Sequence, residues 1–432
     1  MTQKVYSIFP IEQDPACLLK WGWSTIFFNS GSTASCHRTQ KYAIDPDNFS
    51  EFHNLPEKVL AREKMLNGQW PGHGCNYCRD VENAGGESDR MMQLRGMTDM
   101  GLSPPELLDN PMETKITPTM LEVYFNNTCN MKCVYCGPHF SSAWEQENRK
   151  FQSSFDLKKN PFAVTKSQHN PHYQRMVNDL WKYLGTNQRY KALRRFHVLG
   201  GEPFLIDELD QCIDFWFDHP NPNLIIALVT NLNVPHTRFL SYMEKFHSLV
   251  NTGKIMTVEI IGSIDAWGPE QEYTRHGINL DTWQKNFEAA LADPGITCSI
   301  NSALSALTIK QLPLLLEKIN QWNIVREKIA SDDHNKHIIH SFNTTGYLDN
   351  LYYFDQSVFK NDFQRIIDLM PDDSDIQQNQ KGAMIGIATK HSQCKNNPHE
   401  IDNLKNYLSV IDSRRNTNWR LLFPWLDKEF SV

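Results

Sequence analysis

Three cysteines, Cys129, Cys133 and Cys136, lie in the run Thr-Cys-Asn-Met-Lys-Cys-Val-Tyr-Cys-Gly, directly after a strand-like segment from Leu121 to Phe125. Their C-x3-C-x2-C spacing puts three thiols on one short loop. Three thiolates can ligate three irons of a cubane and leave the fourth iron without a protein ligand. An open coordination position is what a catalytic metal site needs and a structural one avoids. Structural zinc sites usually show two C-x2-C pairs, or one pair with His, so a lone triplet with an x3 gap fits zinc poorly. Disulfides fit less well still, because nothing marks the chain as secreted.

The 432 residues set a prior of two or three domains. A net charge of -7 gives no global attraction to nucleic acid, and none is expected as a partner. No apolar run approaches the roughly 20 residues needed to cross a bilayer. The N-terminus lacks a signal-peptide core, so the expected location is the cytoplasm, with no membrane partner. Ten cysteines in a reducing compartment are metal ligands or small buried residues rather than disulfides. Seven of them precede residue 137, which concentrates metal chemistry in the first third.

From about residue 118 the pattern alternates between strand and helix. Strand candidates are 121–125, 195–199, 224–230, 256–263, 297–304 and 336–342. Helical periodicity lies between them, over 176–184, 209–216, 236–249, 280–292 and 310–322. Such alternation implies parallel βα units, and the cysteine triplet falls just past the first strand. Ser103-Pro104-Pro105-Glu106 has the composition of a helix start. The polar stretch 145–170 reads as a solvated loop or a substrate-facing insertion. Three units are expected: a small cysteine-rich domain over 1–115, the βα unit over 116–345, and a polar, partly helical extension over 346–432.

Four segments follow the triplet in the order of the strands. Gly200-Gly201-Glu202-Pro203 comes after the second strand candidate, where paired glycines permit a tight turn and close approach of backbone to a ligand. Thr230-Asn231 ends the third strand, either capping a turn or reaching a ligand, and is followed by Leu232. Ser263-Ile264-Asp265 ends the fourth, with Arg275 soon after. Asn301 lies in the fifth. Together with Tyr135, the residue before the third cysteine, these motifs resemble the radical S-adenosylmethionine (SAM) enzymes. The resemblance implies an α/β fold, a partial (β/α)6 TIM-like barrel with its site at the C-terminal ends of the strands. It implies a catalytic [4Fe–4S] cluster on Cys129, Cys133 and Cys136, whose open iron chelates SAM and whose electron releases a 5′-deoxyadenosyl radical. It also implies SAM contacts from Tyr135, Gly200, Gly201, Glu202, Pro203, Asn231, Ser263, Asp265, Arg275 and Asn301. For Arg275, pairing with the SAM carboxylate competes with an ordinary salt bridge.

A second set of cysteines lies upstream. Cys17, Gly31 and Cys36 form C-x13-G-x4-C, and Cys75 and Cys78 form a C-x2-C pair. The first pattern resembles the SPASM and twitch auxiliary-cluster domains of radical SAM enzymes, which usually follow the barrel, whereas here it precedes it. Four thiolates close all four irons of a second [4Fe–4S] cluster, or a structural zinc with His37, His53 or His73 as a substitute ligand. Cys212, Cys298 and Cys394 have no partner spacing.

The resulting expectation is a radical SAM enzyme with one auxiliary cluster, an oxidoreductase or modifying enzyme. It would be reduced by a flavodoxin or ferredoxin and abstract hydrogen from a peptide or small-molecule substrate. No catalytic general base is readable. The alternatives are a zinc-stabilised scaffold or binding protein, and a two-cluster electron carrier without SAM chemistry. The carrier leaves Gly200 to Pro203 without a purpose.

Overall fold

A computed structural model of the chain describes residues 15–72, 74–86, 88–91, 110, 112–151, 170–330, 336–346 and 348–428. The helix start expected at Ser103, His73 as a ligand, and most of the stretch 145–170 lie outside them.

A mixed α/β architecture is built on one nine-stranded sheet. Its strands are β1 (Trp23–Phe27), β2 (Ser32–Ala34), β3 (Tyr42–Ala43), β4 (Met120–Tyr124), β6 (Arg195–Leu199), β7 (Asn221–Thr230), β8 (Ile255–Ser263), β10 (Ile296–Leu304) and β11 (Ile339–Thr344). The spatial order is β11-β10-β8-β7-β6-β4-β1-β2-β3. From β1 to β11 every neighbouring pair is parallel; β2 and β3 add an antiparallel edge. Two further short strands, β5 (Lys132–Cys133) and β9 (Arg275–His276), pair with each other outside this sheet. No strand pair among the described residues closes the sheet into a ring.

The strands after residue 118 fall where the alternation placed them, because buried parallel strands read as short apolar runs. β1 was not anticipated. Trp-Ser-Thr-Ile-Phe has four β-branched or aromatic side chains in five residues, too short for a periodic signal beside its cysteine-rich neighbours. It lies parallel to β4 in the register Trp23↔Met120 to Phe27↔Tyr124, so the sheet begins in the N-terminal segment.

One face of the sheet packs against helices. Leu121, Val123, Phe196, Val198, Ile226, Leu228, Val258 and Ile260 have essentially no exposure there. Phe196 meets Trp181 of helix Tyr173–Gly185 and Trp216 of helix Glu208–Asp218, with ring centroids 5.9 and 6.1 Å apart. Burial of Met176, Val177, Leu180 and Leu184 marks the apolar stripe that turns the first of these helices inward. The part of 145–170 that is described is no loop: Ser142–Phe151 is a helix with Trp144 and Glu147 buried. The extension forms helices Gln356–Leu369, Asp375–His391, Pro398–Arg415 and Trp419–Leu422.

Candidate active site at the strand ends

The cysteine loop leaves the C-terminal end of β4 and is clamped from several sides. Gly200 and Gly201 have φ of +80° and +59°, backbone that favours glycine. A Cβ on Gly200 would stand 2.6 Å from the Tyr124 ring, and one on Gly201 2.4 Å from the Thr128 carbonyl oxygen. The Glu202 amide donates to that same carbonyl at 2.7 Å. The paired glycines therefore seat the turn after β6 directly on the residue preceding Cys129.

Glu202 turns inward, fully buried. Its Oε1 accepts from the Thr230 hydroxyl at 2.7 Å and the Phe204 amide at 3.1 Å, and its Oε2 from the Asn231 amide at 2.7 Å. Burial pushes its pKa up to about 7, against these donors, which lower it. The carboxylate ties the end of β6 to the end of β7, and Oε2 retains a lone pair for a further donor. Pro203 opens the short helical turn that Glu202 caps. Asn231 donates to the Asn130 side chain at 2.9 Å and approaches Cys129 Sγ at 3.8 Å. Leu232, at the position where the resembled motif carries glycine, has φ +51° and is buried.

The second half of the loop forms β5, in which Cys133 pairs with Arg275 of β9. Tyr135 donates its hydroxyl to Asp265 at 2.6 Å. Arg275 forks onto the same carboxylate at 2.7 and 2.8 Å, and the Ala303 amide adds a fourth bond at 2.8 Å. Asp265 has no exposure. Arg275 and Asp265 form a buried pair rather than a surface salt bridge, and together they anchor Tyr135. Ser263 and Asn301 face one another across β8 and β10, and Asn301 accepts from Asn343 at 2.7 Å.

Two other segments, which the sequence did not single out, complete the clamp. Ser142 exchanges hydrogen bonds with the Cys129 backbone, and Trp144 donates to the Cys133 carbonyl at 2.8 Å. From helix Pro398–Arg415, Tyr407 donates to the Val134 carbonyl at 2.7 Å, and Arg415 pairs with the buried Glu147 at 3.2 Å.

All ten cysteines are free thiols. Burial pushes Cys129 up to about 12 and raises Cys133 and Cys136, so none of the triplet is a ready thiolate nucleophile at neutral pH. Metal ligation deprotonates such thiols outright. Among the described residues, no three His, Cys, Asp or Glu side chains converge as ligands of a single metal ion. A cubane does not require that convergence, because each thiolate takes a different iron. Three thiols on one loop, held by backbone hydrogen bonds and next to the ends of the parallel strands, fit a cluster with one open corner.

Upstream, Cys17, Cys36, Cys75 and Cys78 line one cavity, together with Lys20, His37, Asp89 and Arg90. Cys17 precedes helix Leu19–Gly22, Cys36 follows β2, and Cys75 and Cys78 form the buried face of helix Cys75–Asn83. A Cβ on Gly74 would stand 1.8 Å from the Arg38 carbonyl oxygen, which explains a glycine immediately before Cys75. Four thiols from three separate segments around one cavity fit a fully ligated cluster. Cys212 and Cys298 are buried apart from this cavity, and Cys394 is partly exposed.

The face of the sheet opposite the helices carries a polar row in which sequence reading did not pick out Glu122 and His197. Cross-strand registers place Thr25, Glu122, His197, Ala227 and Glu259 side by side. By strand alternation Asn231, Ser263 and Asn301 share this face nearer the strand ends. Thr25 donates to Glu122 at 2.7 Å, while Arg195 and Ser299 engage Glu259 at 2.5 and 2.6 Å. The two ring nitrogens of His197 are shielded from solvent and neither has a hydrogen-bond partner; Glu122 is 3.7 Å away. The available signal was polar residues inside otherwise apolar strands, Glu122 in Leu-Glu-Val and His197 in Phe-His-Val.

No protein-family model matches the chain, and no curated protein matches it. Among solved structures it is similar to one described as native anSMEcpe with bound AdoMet and Kp18Cys peptide. The two share 13% identity with a TM-score of 0.35, over 58% of this chain and 59% of that one. The chain thus spans less than two thirds of that structure, and a likeness at this level carries no argument about fold or activity. No helix among the described residues is long and apolar enough to cross a membrane.

Proposed function

We propose that this chain is a radical SAM enzyme with an open catalytic cluster on Cys129, Cys133 and Cys136 and a closed auxiliary cluster on Cys17, Cys36, Cys75 and Cys78. The observation that carries the reading is the seating of Gly201 and the Glu202 amide on the Thr128 carbonyl, which joins the two most diagnostic motifs in one place. When bound, the catalytic cluster and SAM supply reductive cleavage of the sulfonium and a 5′-deoxyadenosyl radical that removes hydrogen from a substrate C–H bond.

The protein's own residues position and enclose. Asn231 and the Gly200–Gly201 turn fix the Cys129 side of the loop; Asp265 and Arg275 fix Tyr135; Tyr407 holds the loop from the extension. The remaining lone pair of Glu202 suits an ammonium donor such as the SAM amino group. Substrate lies over the polar face, where Glu122, His197 and Glu259 offer hydrogen-bonding groups below the strand ends. A peptide or a small polar molecule suits that face, and a flavodoxin or ferredoxin is the matching reductant.

The test is anaerobic reconstitution with iron and sulfide, then dithionite and SAM, with 5′-deoxyadenosine followed by mass spectrometry alongside iron per chain. Deoxyadenosine together with iron for two cubanes is expected. Zinc in place of iron, or fully reconstituted protein that leaves SAM intact, would overturn the reading.

A further inference from the structure

The two carboxylates on the polar face of the sheet are unequally met. Glu259 has both a cation and a hydroxyl, Arg195 at 2.5 Å and Ser299 at 2.6 Å. Glu122 is 8% exposed and has no ion pair with a lysine or arginine among the described residues. Its Oε2 is held in place. The Trp23 indole donates to the Thr25 hydroxyl at 3.2 Å, and that hydroxyl donates to Oε2 at 2.7 Å. Its Oε1 accepts no hydrogen bond among the described residues. His197 Nδ1 stands 3.7 Å from Oε1, beyond hydrogen-bond reach, and burial near Arg195 keeps that ring uncharged. Other basic groups on this side are engaged elsewhere, Lys41 over the Phe27 ring and His37 on Asp89. A carboxylate taken out of water without a cation is costly, and burial raises the Glu122 pKa. A fixed, buried carboxylate oxygen with no donor on it suits a charged donor.

The wall above this oxygen is apolar. Tyr124, Leu199 and Val229 lie one step nearer the strand ends, on the same face by strand alternation, and all three are partly exposed. Beyond them the cysteine loop leaves β4. A group with a cationic head and a carbon stem matches that order: the head reaches Glu122, and the stem runs along the three side chains.

We propose that Glu122 anchors an ammonium group of the substrate, with Tyr124, Leu199 and Val229 lining the path of its carbon stem. The proposal deepens the radical SAM reading above and rests on it for the role of substrate. It names the substrate class as a protonated amine, carried either by a lysine side chain in a peptide or by a small alkylamine. It also sets the carbons of the stem on the cysteine-loop side of Glu122.

The experiment is isothermal titration calorimetry on reconstituted full-length protein with SAM and no reductant. One pair of probes is acetyl-Ala-Ala-Lys-Ala-Ala-amide and its norleucine counterpart; the other is pentylamine and pentanol. An ammonium probe is expected to bind about tenfold more tightly than its neutral counterpart. Preference within the peptide pair alone assigns a peptide source, and preference within the pentyl pair assigns a small amine. Glu122→Gln is expected to erase the preference. Val229→Phe, which leaves Glu122 in place and fills the path, is expected to abolish binding of the preferred probe. No preference within either pair overturns the proposal without any variant. A preference that survives Glu122→Gln, or binding unchanged in Val229→Phe, overturns it too. Deoxyadenosine formation, measured separately, tells the two levels apart. SAM cleaved without an ammonium preference removes this proposal alone. SAM left intact with the preference present removes the radical SAM reading and keeps the ammonium site.

Discussion

Gly201 and Thr128 are in direct backbone contact, so close that a Cβ on the glycine would lie 2.4 Å from the Thr128 carbonyl oxygen. Gly201→Ala must therefore push the cysteine loop away from β6, and it does so at a φ of +59° that strains an alanine besides. The expected result is loss of iron from the triplet alone, about half of the total in a two-cubane protein, with 5′-deoxyadenosine formation abolished. Iron per chain, measured with the helical circular dichroism as a folding control, checks this. Full iron content in the variant would show that the contact does not organise the loop.

The two cysteine sets are predicted to be separable. Replacing Cys129, Cys133 and Cys136 by Ala should abolish SAM cleavage and leave about half the iron. Replacing Cys75 and Cys78 should remove the other half and reduce solubility, because those thiols are the buried face of their helix. A triplet variant that still cleaves SAM under reduction would refute the assignment of the catalytic cluster.

Leu232 combines full burial with φ +51°, and its side chain approaches the site a Cβ on Gly262 would occupy to 3.2 Å. Truncation to Ala removes buried methyl groups and keeps the strain, at about 2–5 kcal/mol. Glycine loses the same packing but relieves roughly 1–2 kcal/mol of left-handed strain. Leu232→Gly is therefore expected to be no less stable than Leu232→Ala, the reverse of the usual order inside a folded element. Thermal or urea unfolding of both variants decides it.

Glu202 gives the protein without SAM a predictable pH dependence. Burial raises its pKa to about 7 in the folded chain, above the ~4.3 of an unfolded glutamate. The folded state therefore binds more protons between these values, and stability falls as pH rises. This contribution is fully present below about pH 4.3 and is lost as pH rises through about 7, on the order of 3 kcal/mol. Glu202→Gln should flatten that part of the profile. Urea midpoints of the two proteins at pH 4.5, 6 and 8 measure it; an unchanged slope would mean that Glu202 does not titrate there.

Arg415 and Glu147 form a buried pair between the extension and the helix after the cysteine loop, at 3.2 Å. Glu147 keeps Lys132 at 2.6 Å, so removing Arg415 costs less than the about 3–5 kcal/mol of a buried charge left unpaired. Arg415→Met should therefore lower the unfolding midpoint and loosen the triplet, with faster release of its iron to a chelator than from the Cys17–Cys78 cavity. Equal release from both sites would separate the extension from the cysteine loop.

What the sequence determined is local. Ligand spacing on one loop, the apolar runs of parallel strands and the periodicity of the helices between them depend on neighbours a few residues apart. They give the triplet, the Gly200–Pro203 turn, and the order of strands after residue 118. Tertiary structure decided every partnership across long separations. It placed β1 beside β4, brought Cys17, Cys36 and Cys75 to one cavity, committed Arg275 to Asp265 and carried Tyr407 to Val134. It also aligned Glu122, His197 and Glu259 across one face, which no spacing encodes because it depends on strand register. An isolated guanidinium or hydroxyl in a sequence has many acceptable partners, and only packing the whole chain leaves one of them within 3 Å.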